Sequence, residues 1–284
     1  MEDIFSKIKI VPLKKVFVHE QIVKKWARNL SSYMEQSGIQ KNPIIVYKTA
    51  GKYIVLDGMH RVEAMKIIGC HDIMVYMVDY FKDSIELHNW YGIVFGDISP
   101  VDILNRIVGR KSFVIKKEKK DYDASEMIRN RKILLAVRDR KNNLYTVSLR
   151  KGFKINEDRF LTIATSLIER LESIVDSMDY RIVYVPNVTG ERDFKTSSGN
   201  LLIYRPLFTK EEVIHRTLTG KTFPRKSTRH IIPGRPLRVD LNITLLKENI
   251  NLKIKNKLLY AHLMWCFESN RMRYYPEPVY IFSD

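Results

Sequence analysis

Residues 43–78 constrain the fold of this chain more than any other stretch. Pro43-Ile-Ile-Val-Tyr47 reads as a strand, Gly51 marks a turn, and Tyr53-Ile-Val-Leu56 reads as the next strand. Asp57-Gly58 then breaks the apolar run. Val62, Met65, Ile67 and Ile68 are the apolar positions of a helix that Gly69 closes, and 73–78 is a further strand. Upstream, Ile8, Ile10, Pro12 and Val16 suggest a short extended segment. Ile22, Trp26, Leu30, Tyr33 and Met34 then recur at helical spacing up to Gly38, which predicts a helix over 21–37. Elements this short and closely spaced bury their apolar faces only by packing together, so residues 7–80 are expected to form a compact α/β unit.

The rest of the chain is long enough for a second lobe. A helix is expected over 84–91. Strands over 131–137 and 144–149 are expected to pair around Asn142-Asn143, followed by a long amphipathic helix over 157–178. Further expectations are a strand at 181–185, helices at 210–219 and 258–267, and a last strand at 279–282. The expected fold class is α/β (α+β), with domains at 1–95 and 96–284 in close contact.

Composition excludes some classes and invites one. No run approaches the ~20 apolar residues that span a bilayer. The opening MEDIFSKIKIVPL lacks the apolar core of a signal peptide, and Cys70 and Cys266 stand far apart with no CxxC partner. These point to a cytoplasmic protein without a disulfide framework or zinc site. The net charge of +17 invites a nucleic-acid reading. Yet +8 of it lies within 101–150, where 14 Lys/Arg face 6 Asp/Glu. A solvated basic face, or a pocket for a polyphosphate substrate, accounts for positive charge as well.

Three clusters carry candidate chemistry. Asp57-Gly58-Met59-His60-Arg61 joins a strand to a helix, where free N–H groups and the positive dipole end suit phosphate. Gly58 admits close backbone approach, Arg61 and His60 can donate to phosphate oxygens, and Asp57 can hold Mg²⁺. The plainer reading is a β-turn-α junction with Asp57 as a cap. His19-Glu20 follows the first extended segment. In the apolar company of Val16, Phe17, Val18 and Ile22, Glu20 suits a general base; equally, it would cap the helix over 21–37. Lys226-Ser227-Thr228-Arg229-His230, with Pro233-Gly234-Arg235 after it, lies in a span (221–240) of six Lys/Arg and one acid. It suits a phosphate or carboxylate ligand, or is a basic surface loop.

These residues resemble a known family. From Val11 to Val78 the chain is similar to the ParB/sulfiredoxin superfamily, through Asn42-Pro43-Ile-Ile-Val46, Tyr53-Ile-Val-Leu-Asp-Gly-Met-His-Arg61, Ile67-Ile-Gly-Cys70 and Ile73-Met-Val75. Within it, His19-Glu20, Trp90 and Thr228-Arg229-His230 resemble the free L-serine kinases. The span 97–185 matches weakly. The resemblance implies a ParB/sulfiredoxin-like N-terminal domain packed against a second α/β lobe that completes an active-site cleft. It implies phosphoryl transfer from ATP or ADP, with Mg²⁺, to free L-serine, giving O-phospho-L-serine for cysteine or related biosynthesis. It assigns Glu20 as the catalytic carboxylate and Asp57 as the residue organising metal and phosphate. Gly58, Met59, His60 and Arg61 would line the nucleotide phosphates; Trp90, Thr228, Arg229 and His230 would contact serine.

Rival readings fare less well. A sulfiredoxin needs a nucleophilic Cys immediately before the His-Arg pair, where Met59 stands. A ParB-like DNA-binding regulator, the alternative, needs a helix-turn-helix after the core, and 81–150 shows no convincing one. No GxxxxGK[ST] loop is present.

Overall fold

In the computed structural model, residues 2–275 are described except 110–111, 120–121, 153–155 and 179. The strand expected at 279–282 lies outside the described residues. The chain divides into two compact units. Unit 1 comprises 1–17, 22–79 and 234–284; unit 2 comprises 18–21 and 80–233. The division differs from a single cut after residue 95, because the C-terminal fifty residues group with the N-terminal sheet.

Unit 1 is built on a five-stranded mixed sheet in the order Ile8–Pro12, Asp72–Val78, Ile44–Thr49, Lys52–Asp57, Val16–Phe17. Ile44–Thr49 and Lys52–Asp57 form the hairpin expected around Gly51. Ile44, Ile45, Val46, Ile54, Val55, Ile73, Met74 and Val75 are buried. Near-continuous apolar runs of this kind belong to strands covered on both faces. Helices Lys24–Ser37 and Met59–Ile67 pack on each other. The first begins three residues later than expected and ends at Gly38, whose φ of 68° is the left-handed C-cap that glycine adopts without strain.

Ile8–Pro12 is an edge strand, and the C-terminal helix Leu252–Glu268 covers it. Asn256 Nδ2 donates to Ile10 O (2.9 Å) and Asn256 Oδ1 accepts from Ile10 N (3.0 Å), so a side chain supplies the pairing a neighbouring strand would otherwise provide. The preceding residue, Lys255, is fully buried and its Nζ meets Asp72 Oδ2 at 2.6 Å.

Unit 2 carries a six-stranded antiparallel sheet in the order Arg181–Pro186, Trp90–Phe95, Leu201–Tyr204, Leu135–Asp139, Leu144–Leu149, Phe113–Lys117. The hairpin around Asn142-Asn143 is present, with Asn142 at φ 62°. Helix Glu157–Ser177 buries Leu161, Ala164, Leu167, Ile168, Leu171 and Val175, the expected stripe. The helix expected over 84–91 is not formed. Glu86–His88 and Trp90–Phe95 are strands. Over 85–91, Ile85, Asn89 and Tyr91 are buried while Glu86, His88 and Trp90 are not, and from 91 to 94 the strand is buried throughout, so sheet pairing prevails over the local helical reading. The helix Pro100–Val108 and the strand Leu201–Tyr204 were not anticipated.

Replacing Asp72 by Asn should strand the Lys255 ammonium in the interior. The expected loss is about 3–5 kcal/mol, the scale for breaking a buried pair, read as a lowered midpoint in chemical denaturation with an unchanged slope.

Candidate functional site

The sequence-nominated residues fall into two groups, one in each unit. In unit 1, Asp57 ends its strand and Gly58 turns the chain into the helix Met59–Ile67. Gly58 has φ 99°, and a Cβ there would stand 2.8 Å from Arg61 Nη2 and 3.0 Å from Ile44 Cδ1. Only glycine fits both the dihedral and the space. Arg61 folds back beneath the loop: Nη1 donates to Asn42 O and Pro43 O (2.9 Å each), and Nη2 donates to Asp57 Oδ2 (2.9 Å). Burial pulls its guanidinium down, with Asp57 opposing the shift.

The guanidinium read from sequence as a phosphate ligand is thus occupied as a brace between the 42–43 turn and the strand end. Arg235 reaches the same Asp57 Oδ2 at 2.6 Å and is exposed. His60 Nε2 accepts from Val23 N at 3.3 Å, and its ring lies 5.6 Å from that of Trp26. Met59 opens the helix, half-buried. The loop therefore offers an anion the helix's free N–H groups and the exposed Arg235.

Asp57 is a single carboxylate, and no group of three His, Cys, Asp or Glu suited to a cation occurs among the described residues. Magnesium commonly uses one or two protein carboxylates together with substrate phosphates and water. The residues fit a cation carried by a nucleotide, not a protein-built cage.

In unit 2 the chain around Glu20 pairs with Phe223. Phe223 N donates to His19 O (2.7 Å) and Gln21 N to Phe223 O (2.8 Å). This pairing aims the Glu20 carboxylate at the 226–228 turn. Oε1 accepts from Thr228 N (2.7 Å) and Thr228 Oγ1 (2.6 Å), and Oε2 accepts from Lys226 N (2.9 Å). Glu20 therefore does not cap the helix of unit 1, whose N-cap is Val23. Its oxygens lie against backbone donors, not in the apolar setting inferred from Val16, Phe17 and Val18.

His19 is fully buried, with Nε2 2.7 Å from Thr228 Oγ1. The threonine hydroxyl has one proton, and it points at Glu20. His19 must then donate from Nε2, giving a chain His19 to Thr228 to Glu20. His230 Nε2 lies 2.7 Å from Tyr80 Oη, and its ring meets His19 edge-to-face at 5.3 Å. Burial pushes the Tyr80 phenol up, so it stays neutral. Trp90 Nε1 donates to Thr228 O (2.9 Å), while Lys226 Nζ and the Arg229 guanidinium lie over its ring at 4.7 and 5.5 Å. Glu20, Trp90, Thr228, Arg229 and His230 are thus assembled in one unit.

The residues not assigned a role from sequence are the supports. Arg205, 1% exposed, donates to Lys226 O and Arg225 O (3.1 Å each) and meets Glu172 at 3.2 Å. Its signal was a lone arginine in Leu201-Leu-Ile-Tyr-Arg-Pro-Leu-Phe208. Tyr80 and the proton-donating part of His19 had no comparable signal.

No family model matches the chain. The ATP-dependent L-serine kinase of Staphylothermus marinus is 27% identical over 241 residues, covering 84% of this chain and 90% of that protein. The ADP-dependent L-serine kinase of Thermococcus kodakarensis is 25% identical over 235 residues, covering 82% and 90%. A glutamate-to-alanine variant of free serine kinase, solved with ADP, superposes with a TM-score of 0.68 at 21% identity, over 84% of this chain and 94% of that one. This is the fold of the free serine kinases. The resemblance first read from short motifs holds over most of the chain, in sequence and in fold.

Thr228→Val removes the hydroxyl that links His19 Nε2 to the Glu20 carboxylate and should cost about 1–3 kcal/mol, whereas Thr228→Ser should unfold near the wild-type midpoint. Equal midpoints for the two variants in urea would remove the hydroxyl from the network.

Proposed function

We propose that this chain transfers a phosphoryl group from ATP or ADP to the hydroxyl of free L-serine, giving O-phospho-L-serine. The observation that carries the reading is the buried Glu20 carboxylate seated on the Thr228 turn, beside Trp90 and Arg229, in a chain with this kinase fold. A serine hydroxyl is a weak nucleophile at neutral pH. Glu20 accepts its proton as the new oxygen–phosphorus bond forms and the bond to the donor's bridging oxygen breaks. Arg229 suits the serine carboxylate, and Trp90 walls the small side chain. Phosphate oxygens of the donor are received by the N–H groups after Gly58 and by Arg235, which neutralise charge without moving. Magnesium, brought by the nucleotide and met by Asp57, would add further charge neutralisation at those oxygens. The relatives differ in donor, so both nucleotides belong in the assay. The reading places the protein with the cytoplasmic pools of serine and nucleotide, supplying cysteine or related biosynthesis.

A DNA-binding regulator is less well supported. A ParB-like protein of Sulfolobus acidocaldarius is 26% identical over 66% of the chain. Among the described residues of 81–150, however, the helices Pro100–Val108 and Ala124–Arg129 are separated by the strand Phe113–Lys117, which is not a helix-turn-helix.

Incubation with Mg²⁺, L-serine and ATP or ADP should yield O-phosphoserine by mass spectrometry; no product with either donor would end the proposal. Glu20→Gln keeps the shape but cannot take the proton. Its kcat should fall by roughly 10²-fold or more with nucleotide affinity unchanged.

Within the same reading, Gly58→Ala should weaken nucleotide binding by about tenfold or more, the equivalent of ~1.4 kcal/mol. Trp90→Ala should instead raise KM for serine. Calorimetric titration beside steady-state kinetics separates the two, and the reverse assignment would show that the subsites are exchanged.

A further inference from the structure

The helix Leu252–Glu268 has two apolar faces. One, through Leu259 and Leu263, is buried in unit 1. The other is a narrow stripe of Ile254, Leu258, Ala261 and Trp265, in which Ile254, Leu258 and Trp265 are 51%, 50% and 48% exposed. Within one helix these four side chains fall in a sector of about 60°. Scattered exposed apolar residues need no explanation, but a continuous stripe over three turns marks a contact surface.

Two features of the stripe specify what fits it. Its spacings are four, three and four residues, a pattern that reads the same in both directions. An antiparallel copy of the helix therefore sets Ile254 against the partner's Trp265, and Leu258 against the partner's Ala261. Each layer and its mate are related by a twofold axis, and a large side chain meets a small one at the centre. That is the self-complementarity an isologous dimer requires.

The second feature is charge. The helix is charged against its own dipole: Lys253 and Lys257 stand near its N-terminus, Glu268 is its last residue, and no acid lies in its first turn. Basic residues near a positive dipole end and an acid at the negative end are unfavourable in an isolated helix. Antiparallel pairing reverses this, because Glu268 then lies beside the partner's Asn251, at the N-terminus of the partner helix and near its lysines. Across the stripe Lys257 meets the partner's Met264, so no like charges face each other.

We infer that this face pairs two copies of the chain as a twofold dimer through antiparallel Leu252–Glu268 helices. One helix from each copy makes a contact near or below the ~1,200 Å² at which stable interfaces begin, so association is concentration-dependent. The inference does not depend on the proposed kinase activity.

Sedimentation velocity on the full chain across a micromolar concentration series tests it. The weight-average mass should rise from 33.5 kDa toward twice that value. Leu258→Glu should hold it at the monomer mass with an unchanged circular dichroism melt. In a Cys266→Ser background, Leu258→Cys with Ala261→Cys should oxidise to a covalent dimer, whereas Ile254→Cys with Ala261→Cys, which do not face each other, should not. A monomer at every concentration would overturn the inference. So would a dimer indifferent to Leu258→Glu, or dimerisation only after removal of residues 276–284, which would make the chain's own C-terminal segment the occupant.

Discussion

The contact between the Glu20 carboxylate and the 226–228 turn is the one on which the unit 2 site depends. Charge-assisted hydrogen bonds to backbone N–H groups are strong and directional. Two of them, from Lys226 and Thr228, converge on this carboxylate, and the Thr228 hydroxyl adds a third hydrogen bond. They hold a turn that includes Lys226 at φ 57°, a conformation a lysine adopts only when its surroundings impose it. From the other side, Arg205 takes the carbonyls of Arg225 and Lys226. The turn is thus gripped by an anion at its amides and a cation at its carbonyls. Thr228, Arg229 and His230 inherit their positions from that grip.

Unit 1 solves a similar problem with other groups. Its loop must be tight enough to expose helix N–H groups, which Gly58 allows, and stiff enough to keep them aimed, which Arg61 provides. The fork of Arg61 spans Asn42, Pro43 and Asp57, so the strand end and the preceding turn move together. Arg235, on a segment nearly two hundred residues later, brings an exposed cation to the same Asp57. In both units an arginine braces the loop by donating to backbone carbonyls: Arg61 to Asn42 and Pro43, and Arg205 to Arg225 and Lys226.

Much of this was legible in residue order, and the failures have physical causes. The hairpin around Gly51, the Gly58 turn and the long helix over 157–178 follow from strong local patterns with clear punctuation. The span 84–91 was misread because eight residues hold too few repeats to separate a period of two from one of 3.6. The contact with the rest of the six-stranded sheet decided it. Glu20 was left between a base and a cap for a related reason. The partner that excludes the cap, the 226–228 turn, lies two hundred residues away.

The sequence by itself determined the strand–loop–helix core of unit 1, the position where only glycine fits, and the residue types on which the proposed phosphoryl transfer rests. Those depend on local dihedrals, periodicity and side-chain chemistry, which a chain carries from residue to residue. The tertiary structure alone decided that Arg61 spans Asn42, Pro43 and Asp57 and that His19 Nε2 meets the Thr228 hydroxyl. It also decided that the C-terminal helix completes the N-terminal sheet. Each is a hydrogen bond or packing contact between distant segments, and its partner is selected by three-dimensional proximity, which residue order does not encode locally.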